Sequence, residues 1–106
     1  MGVVKALALL AVVLAGGGAA KPALRPLDLD PLTLRGTSFK PNERVKLLLS
    51  APPVVRSKVV RAGERGRFRV VFAVRPGRCD AVVVQAIGAR GSRATFRRDV
   101  PDCIEP

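Results

Sequence analysis

Beyond residue 20 the apolar positions recur with a period near two, and the i, i+3, i+4 stripes of an amphipathic helix are absent. Leu32 and Leu34 alternate with Thr33 and Arg35. Residues 44–50, RVKLLLS, place Val45, Leu47 and Leu49 on one face. Residues 54–61, VVRSKVVR, carry β-branched pairs at both ends. The plainest strand is 67–74, where Phe68, Val70, Phe72 and Val74 share a face. Its opposite face begins with Arg67 and Arg69 and continues with Val71 and Ala73. Residues 81–87, AVVVQAI, are apolar on both faces, as a central strand requires. Residues 92–99 close the set, with Ala94 and Phe96 facing inward.

Turn-forming residues separate these runs: Gly36, Pro41-Asn42, Pro52-Pro53, residues 63–66, Pro76-Gly77 and residues 88–91. Six or seven short antiparallel strands at this spacing predict an all-β fold, a small sandwich over residues 31–106. A partly open barrel of the oligonucleotide-binding type is the structural rival. Residues 21–30, with Pro22, Pro26 and alternating Leu and Asp, read as an extended lead-in.

The first 20 residues differ in kind. Lys5 precedes an uncharged apolar run from Ala6, and Gly18-Ala19-Ala20 supplies small residues at the −3 and −1 positions of a cleavage site before Lys21. This is the layout of a secretory signal peptide, cleaved near Ala20. The run is shorter than the ~20 apolar residues a membrane-spanning helix needs, and its three consecutive glycines weaken a helix. The expected location is therefore secreted or extracytoplasmic, with no transmembrane anchor after cleavage. Both cysteines, Cys79 and Cys103, fall after the leader, and an exported chain favours their pairing. A hairpin turning about Ala89-Arg90 would bring them near its open end. There a disulfide would pin the C-terminal tail and stabilise by roughly 2–4 kcal/mol.

The string Leu34-Arg35-Gly36-Thr37-Ser38-Phe39-Lys40-Pro41-Asn42-Glu43-Arg44-Val45 runs as strand, Gly, two residues, Phe, x, Pro, x, Glu, x, Val. Gly66-Arg67-Phe68 then opens a strand, and Ala86-Ile87-Gly88 closes one before Gly91-Ser92. With these motifs, over roughly two-thirds of the mature chain, the sequence resembles the secreted immunoglobulin-like modules of bacterial surface proteins, the IPT/TIG-like group. The resemblance implies an immunoglobulin-like sandwich and an exported setting, not an activity. In this pattern Gly36 is expected to take a backbone shape forbidden to other residues, and Phe39 to fold back into the core. Pro41 fixes the chain as it enters the next strand.

Composition narrows the chemistry. Among 106 residues there is no His, Trp or Tyr, which removes every mechanism built on imidazole. Ser57 and Lys58 are sequence neighbours, so a strand points them to opposite faces. Asp28 and Asp30 share a face if extended, but calcium needs six to eight oxygens and few others are near. Asp99, Asp102 and Glu105 read as balancing Arg97 and Arg98. The expectation is a non-enzyme with no cofactor and no metal. The charge is the feature above background: 19 Lys and Arg against 8 Asp and Glu, for a net +11.

Arg56, Lys58, Arg61, Arg65, Arg67 and Arg69 fall on two consecutive strands and their turn, and would crowd one edge if those strands pair. Arg90, Arg93, Arg97 and Arg98 form a second basic group on the last hairpin. Such surfaces suit an anionic envelope polymer or a protein partner. Phe39, Phe68, Phe72 and Phe96 occupy core-type positions, so no stacking platform for sequence-specific nucleic acid remains. The competing reading is a structural or accessory module without a ligand. Its arginines would reflect GC-rich coding and guard strand edges.

Overall fold

The computed structural model describes residues 20–99. Seven strands form two sheets, all pairs antiparallel: β1 (Ala23–Leu29), β2 (Leu32–Thr37), β3 (Arg44–Ala51), β4 (Val54–Arg61), β5 (Phe68–Val71), β6 (Val82–Gly88) and β7 (Arg93–Arg98). Sheet A has the order β1-β2-β5, and sheet B the order β4-β3-β6-β7. Three hairpins stay within a sheet, β1–β2, β3–β4 and β6–β7, and the other connections cross between sheets. The result is a small β-sandwich; an oligonucleotide-binding barrel does not form.

The alternation read from the sequence becomes the core. Leu24, Leu32, Leu34, Phe68, Val70 and Phe72 line the inner face of sheet A. Val45, Leu47, Leu49, Val82, Val84 and Ala86 line that of sheet B. Leu34, Leu47 and Leu49 have no exposed surface, so truncating any of them to Ala would destabilise by about 2–5 kcal/mol. Phe39 and Phe68 meet edge-to-face, with ring centroids 5.0 Å apart, and close one end of the sandwich. Phe96 is only half-buried, at the edge strand β7.

The structure departs from the sequence reading in five places. The lead-in 21–30 is extended, but residues Ala23–Leu29 are themselves a strand paired along β2, which belongs to the domain. Gly36 lies within β2 rather than in a turn, and space is the reason for glycine there. A β-carbon would stand 2.2 Å from the Phe68 ring that packs over it.

β5 stops at Val71 although the burial alternation runs on to Val74. Val74 N–H donates to the Phe72 carbonyl at 2.7 Å, a γ-turn that makes the ladder irregular. Phe72 N–H still donates to Leu32 O and Leu32 N–H to Val74 O, both at 2.9 Å, and the side chains keep alternating. The last hairpin turns on three residues, not two. Ile87 pairs with Arg93, Gly88 N–H donates to Ser92 O at 2.7 Å, and Gly91 takes φ +102°, the left-handed position such a loop requires. That shifts the register by one from a turn about Ala89-Arg90.

The largest correction concerns β4 and β5. They do not pair as strands: the backbone ladder of β4 is with β3, and that of β5 is with β2. A hairpin between them would leave the apolar face of Phe68, Val70 and Phe72 on the overhanging edge of sheet B. Crossing to sheet A sets that face against Leu47 and Leu49 across the core.

Candidate anion-binding surface

Register, not sequence proximity, decides where the cations meet. Arg25 on β1 is the cross-strand partner of Arg35 on β2, and Arg35 is the partner of Arg69 on β5. Their neighbours Leu24, Leu34, Gly36, Phe68 and Val70 point into the core, so the three arginines stand on the outer face of sheet A. All three are exposed. Adjacent strands lie about 4.8 Å apart, so the row spans about 10 Å across the sheet. Arg67, two residues before Arg69, adds a fourth exposed cation on that side. Among the described residues the ion pairs are Arg75–Asp30 and Arg97–Asp99, and neither involves this row. Like charges placed directly across strands are destabilising, by about 0.2–1 kcal/mol per pair.

The first predicted group is thereby divided. Arg56 and Lys58 pair in register with Leu49 and Leu47, so they face the open edge of the sandwich instead of joining Arg67 and Arg69. Lys58 Nζ crosses the gap to donate to the Val71 carbonyl at 2.5 Å and lies 5.8 Å from the Phe72 ring centroid. An inward-pointing lysine on an edge strand blocks further strand pairing. Arg61 donates to the Asn42 carbonyl at 3.0 Å, and Arg65 is exposed in the turn before β5.

The second group divides too. Arg93 and Arg97 sit exposed on the outer face of sheet B, with Arg97 4.0 Å from Asp99. Arg98 turns the other way and donates to the carbonyls of Gly77 and Asp80 at 2.6 and 2.7 Å, tying the 75–81 loop to β7. Arg90 donates through its side chain to the Pro41 carbonyl and is a turn contact.

Glu43, which the sequence reading left without a role, is the most heavily bonded side chain of the fold. It has no exposed surface. One carboxylate oxygen accepts from Lys40 N–H at 3.0 Å and the Ser92 hydroxyl at 2.6 Å. The other accepts from Arg90 N–H at 2.7 Å and Ser92 N–H at 3.3 Å. Burial pushes the carboxyl pKa up. The Ser92 hydroxyl and the backbone amides of Lys40, Arg90 and Ser92 outweigh that and hold it at about 2. Glu43 thus clamps the β2–β3 turn to the β6–β7 turn. A β-carbon on Gly88 would lie 2.2 Å from its oxygen, so the glycine makes the clamp possible.

The remaining candidates have separate partners. Asp28 accepts from Asp30 N–H at 3.1 Å, while Asp30 pairs with Arg75. Ser57 and Lys58 stand on opposite faces of β4, in register with Leu48 and Leu47. Among the described residues no cluster of three or more His, Cys, Asp or Glu could hold a metal ion, and no helix is long and apolar enough to cross a membrane. Cys79 lies in an exposed turn; the Cys79–Cys103 pairing, the leader, Asp102 and Glu105 fall outside the described residues. Sequence reasoning grouped cations by proximity along the chain and so missed Arg25 and Arg35. Only the pairing of β1 to β2 brings them to Arg69. Comparison with protein-family models, curated proteins and solved structures gave no match.

Proposed function

We propose that this chain is an exported, non-catalytic binding module of the immunoglobulin-like type, engaging an anionic polymer at or outside the cell envelope. The observation that carries the reading is the outer face of sheet A, where arginines meet across all three strands with no acidic partner among the described residues. The leader pattern supports export. The strand order, with hairpins inside each sheet and crossings between them, supports the immunoglobulin-like class. The IPT/TIG-like assignment rests on the sequence motifs around Gly36, Phe39 and Pro41. The reading includes a Cys79–Cys103 disulfide. Arg98 holds the loop carrying Cys79 to the end of β7, five residues before Cys103, a stretch that spans up to about 17 Å.

A second reading is favoured by a different observation. Lys58, Arg90 and Arg98 are spent on backbone carbonyls, as expected if basic residues serve the fold of an accessory module. Co-sedimentation of the purified protein with isolated cell envelopes across a salt series separates the two. The binding reading expects retention at low salt that falls steeply between about 0.05 and 0.2 M. Absence of retention at low salt would remove it in favour of the accessory module.

A further inference from the structure

We infer that the row Arg25–Arg35–Arg69, with Arg67 beside it, is a docking strip for a linear polymer bearing repeated phosphate or sulfate groups. The inference rests on the anion-binding reading above and adds its location and the chemistry of its ligand. All four cations are arginines, whose planar forks bind oxyanions in two-point fashion. A carboxylate presents only two oxygens, both in one plane, to a fork, although each keeps a second lone pair. A tetrahedral phosphate or sulfate has a third, out of that plane, to offer an arginine of the neighbouring strand, whose backbone lies about 5 Å away. The flanking positions on β2 are Thr33, buried, and Thr37, half-buried, so no bulky side chain on that strand interrupts a chain laid across the row. The strip is flat and solvated, where a single small ion would be screened, and several adjacent contacts are needed for retention.

The test measures binding of the full chain to long-chain polyphosphate and to a sulfated polysaccharide, with anionic lipid vesicles alongside. Two variants each remove three positive charges. Arg25→Gln/Arg35→Gln/Arg69→Gln empties the strip. Arg44→Gln/Lys46→Gln/Arg78→Gln removes exposed cations elsewhere. The strip variant is expected to lose tenfold or more for at least one polymer, and its logarithmic salt slope to fall by about three. The control is expected to lose less than threefold. Whichever polymer shows the loss identifies the phosphate or the sulfate source.

Both variants should melt at or above the parent temperature, which excludes misfolding as the cause. Equal losses in the two variants would overturn the strip in favour of net charge. Strip-dependent binding to vesicles alone would overturn the polymer. Retention on cell envelopes without affinity for either polymer would defeat this inference while leaving the anion-binding reading standing. No binding to envelopes or to any probe would defeat both.

Discussion

Glu43 and the arginine row of sheet A show two opposite uses of charge in one small fold. Glu43 is a lone carboxylate with no exposed surface and four donors around it; Arg25, Arg35 and Arg69 are exposed cations that meet each other and no acid among the described residues. A buried charge is tolerated only when its hydrogen bonds are complete, and Glu43 meets that condition. Exposed like charges in register are tolerated because water and salt screen them, at a modest expense in stability. The first arrangement holds two turns together. The second makes no ion pair among the described residues and leaves a field directed outward.

The largest effect should come from breaking the clamp. Glu43→Gln replaces one acceptor oxygen with a donor facing backbone N–H groups, so at least one amide of Lys40, Arg90 or Ser92 loses its partner. Destabilisation of about 3 kcal/mol is expected at pH 6, read as a lower denaturant midpoint with an unchanged slope. A variant as stable as the parent would show that the clamp is dispensable.

The pH dependence sharpens the same point. The folded pKa of Glu43 is held at about 2, below its ordinary 4.5. The unfolded chain therefore takes up the proton first as pH falls. The contribution is complete above about pH 4.5 and is lost progressively toward pH 2, a change of roughly 3 kcal/mol. Comparing parent and Glu43→Gln at each pH isolates this group from the other carboxylates. The stability gap between them should shrink on acidification, and a constant gap would contradict the depressed pKa.

Why one region was legible in the sequence and the other was not follows from what each depends on. Val45, Leu47 and Leu49, or Phe68, Val70 and Phe72, reveal their strand and its buried face locally, because alternation is a property of one segment. The breaks at Pro52-Pro53 and Gly63 to Gly66 are equally local. Partner choice is not. Nothing within residues 54–61 or 67–74 says that β4 stays beside β3 while β5 returns to β2, and the first basic group meets at one edge only if those two strands pair. Arg25 is 44 positions from Arg69, and only two independent registers place them in one row.

Glu43 left a faint signal, a single acid in a basic stretch between Pro41-Asn42 and Val45. Its partners Arg90 and Ser92 are nearly fifty positions away. The one-residue error in the last hairpin had a local cause, since Gly91 in the left-handed region marks a three-residue loop.

The smallest expected effect is also the most direct test of the row as uncompensated charge. Arg35 is its middle member, facing Arg25 on one side and Arg69 on the other. Arg35→Thr keeps a good strand former on the solvent face and removes both repulsions at once. Stability should rise by about 0.5 kcal/mol at low ionic strength, measured by thermal unfolding. The gain should shrink as added salt screens the parent's charges, because the variant has less repulsion left to screen. A loss of stability instead would mean that the aliphatic stem of Arg35 packs usefully on its neighbours, as long cationic side chains can. The arginine would then belong with Lys58 and Arg90 as a residue the fold requires, and the contrast with Glu43 would disappear. A gain that vanishes in salt would leave the row as charge the sandwich carries against its own stability, which is the condition for a surface held ready for an anion.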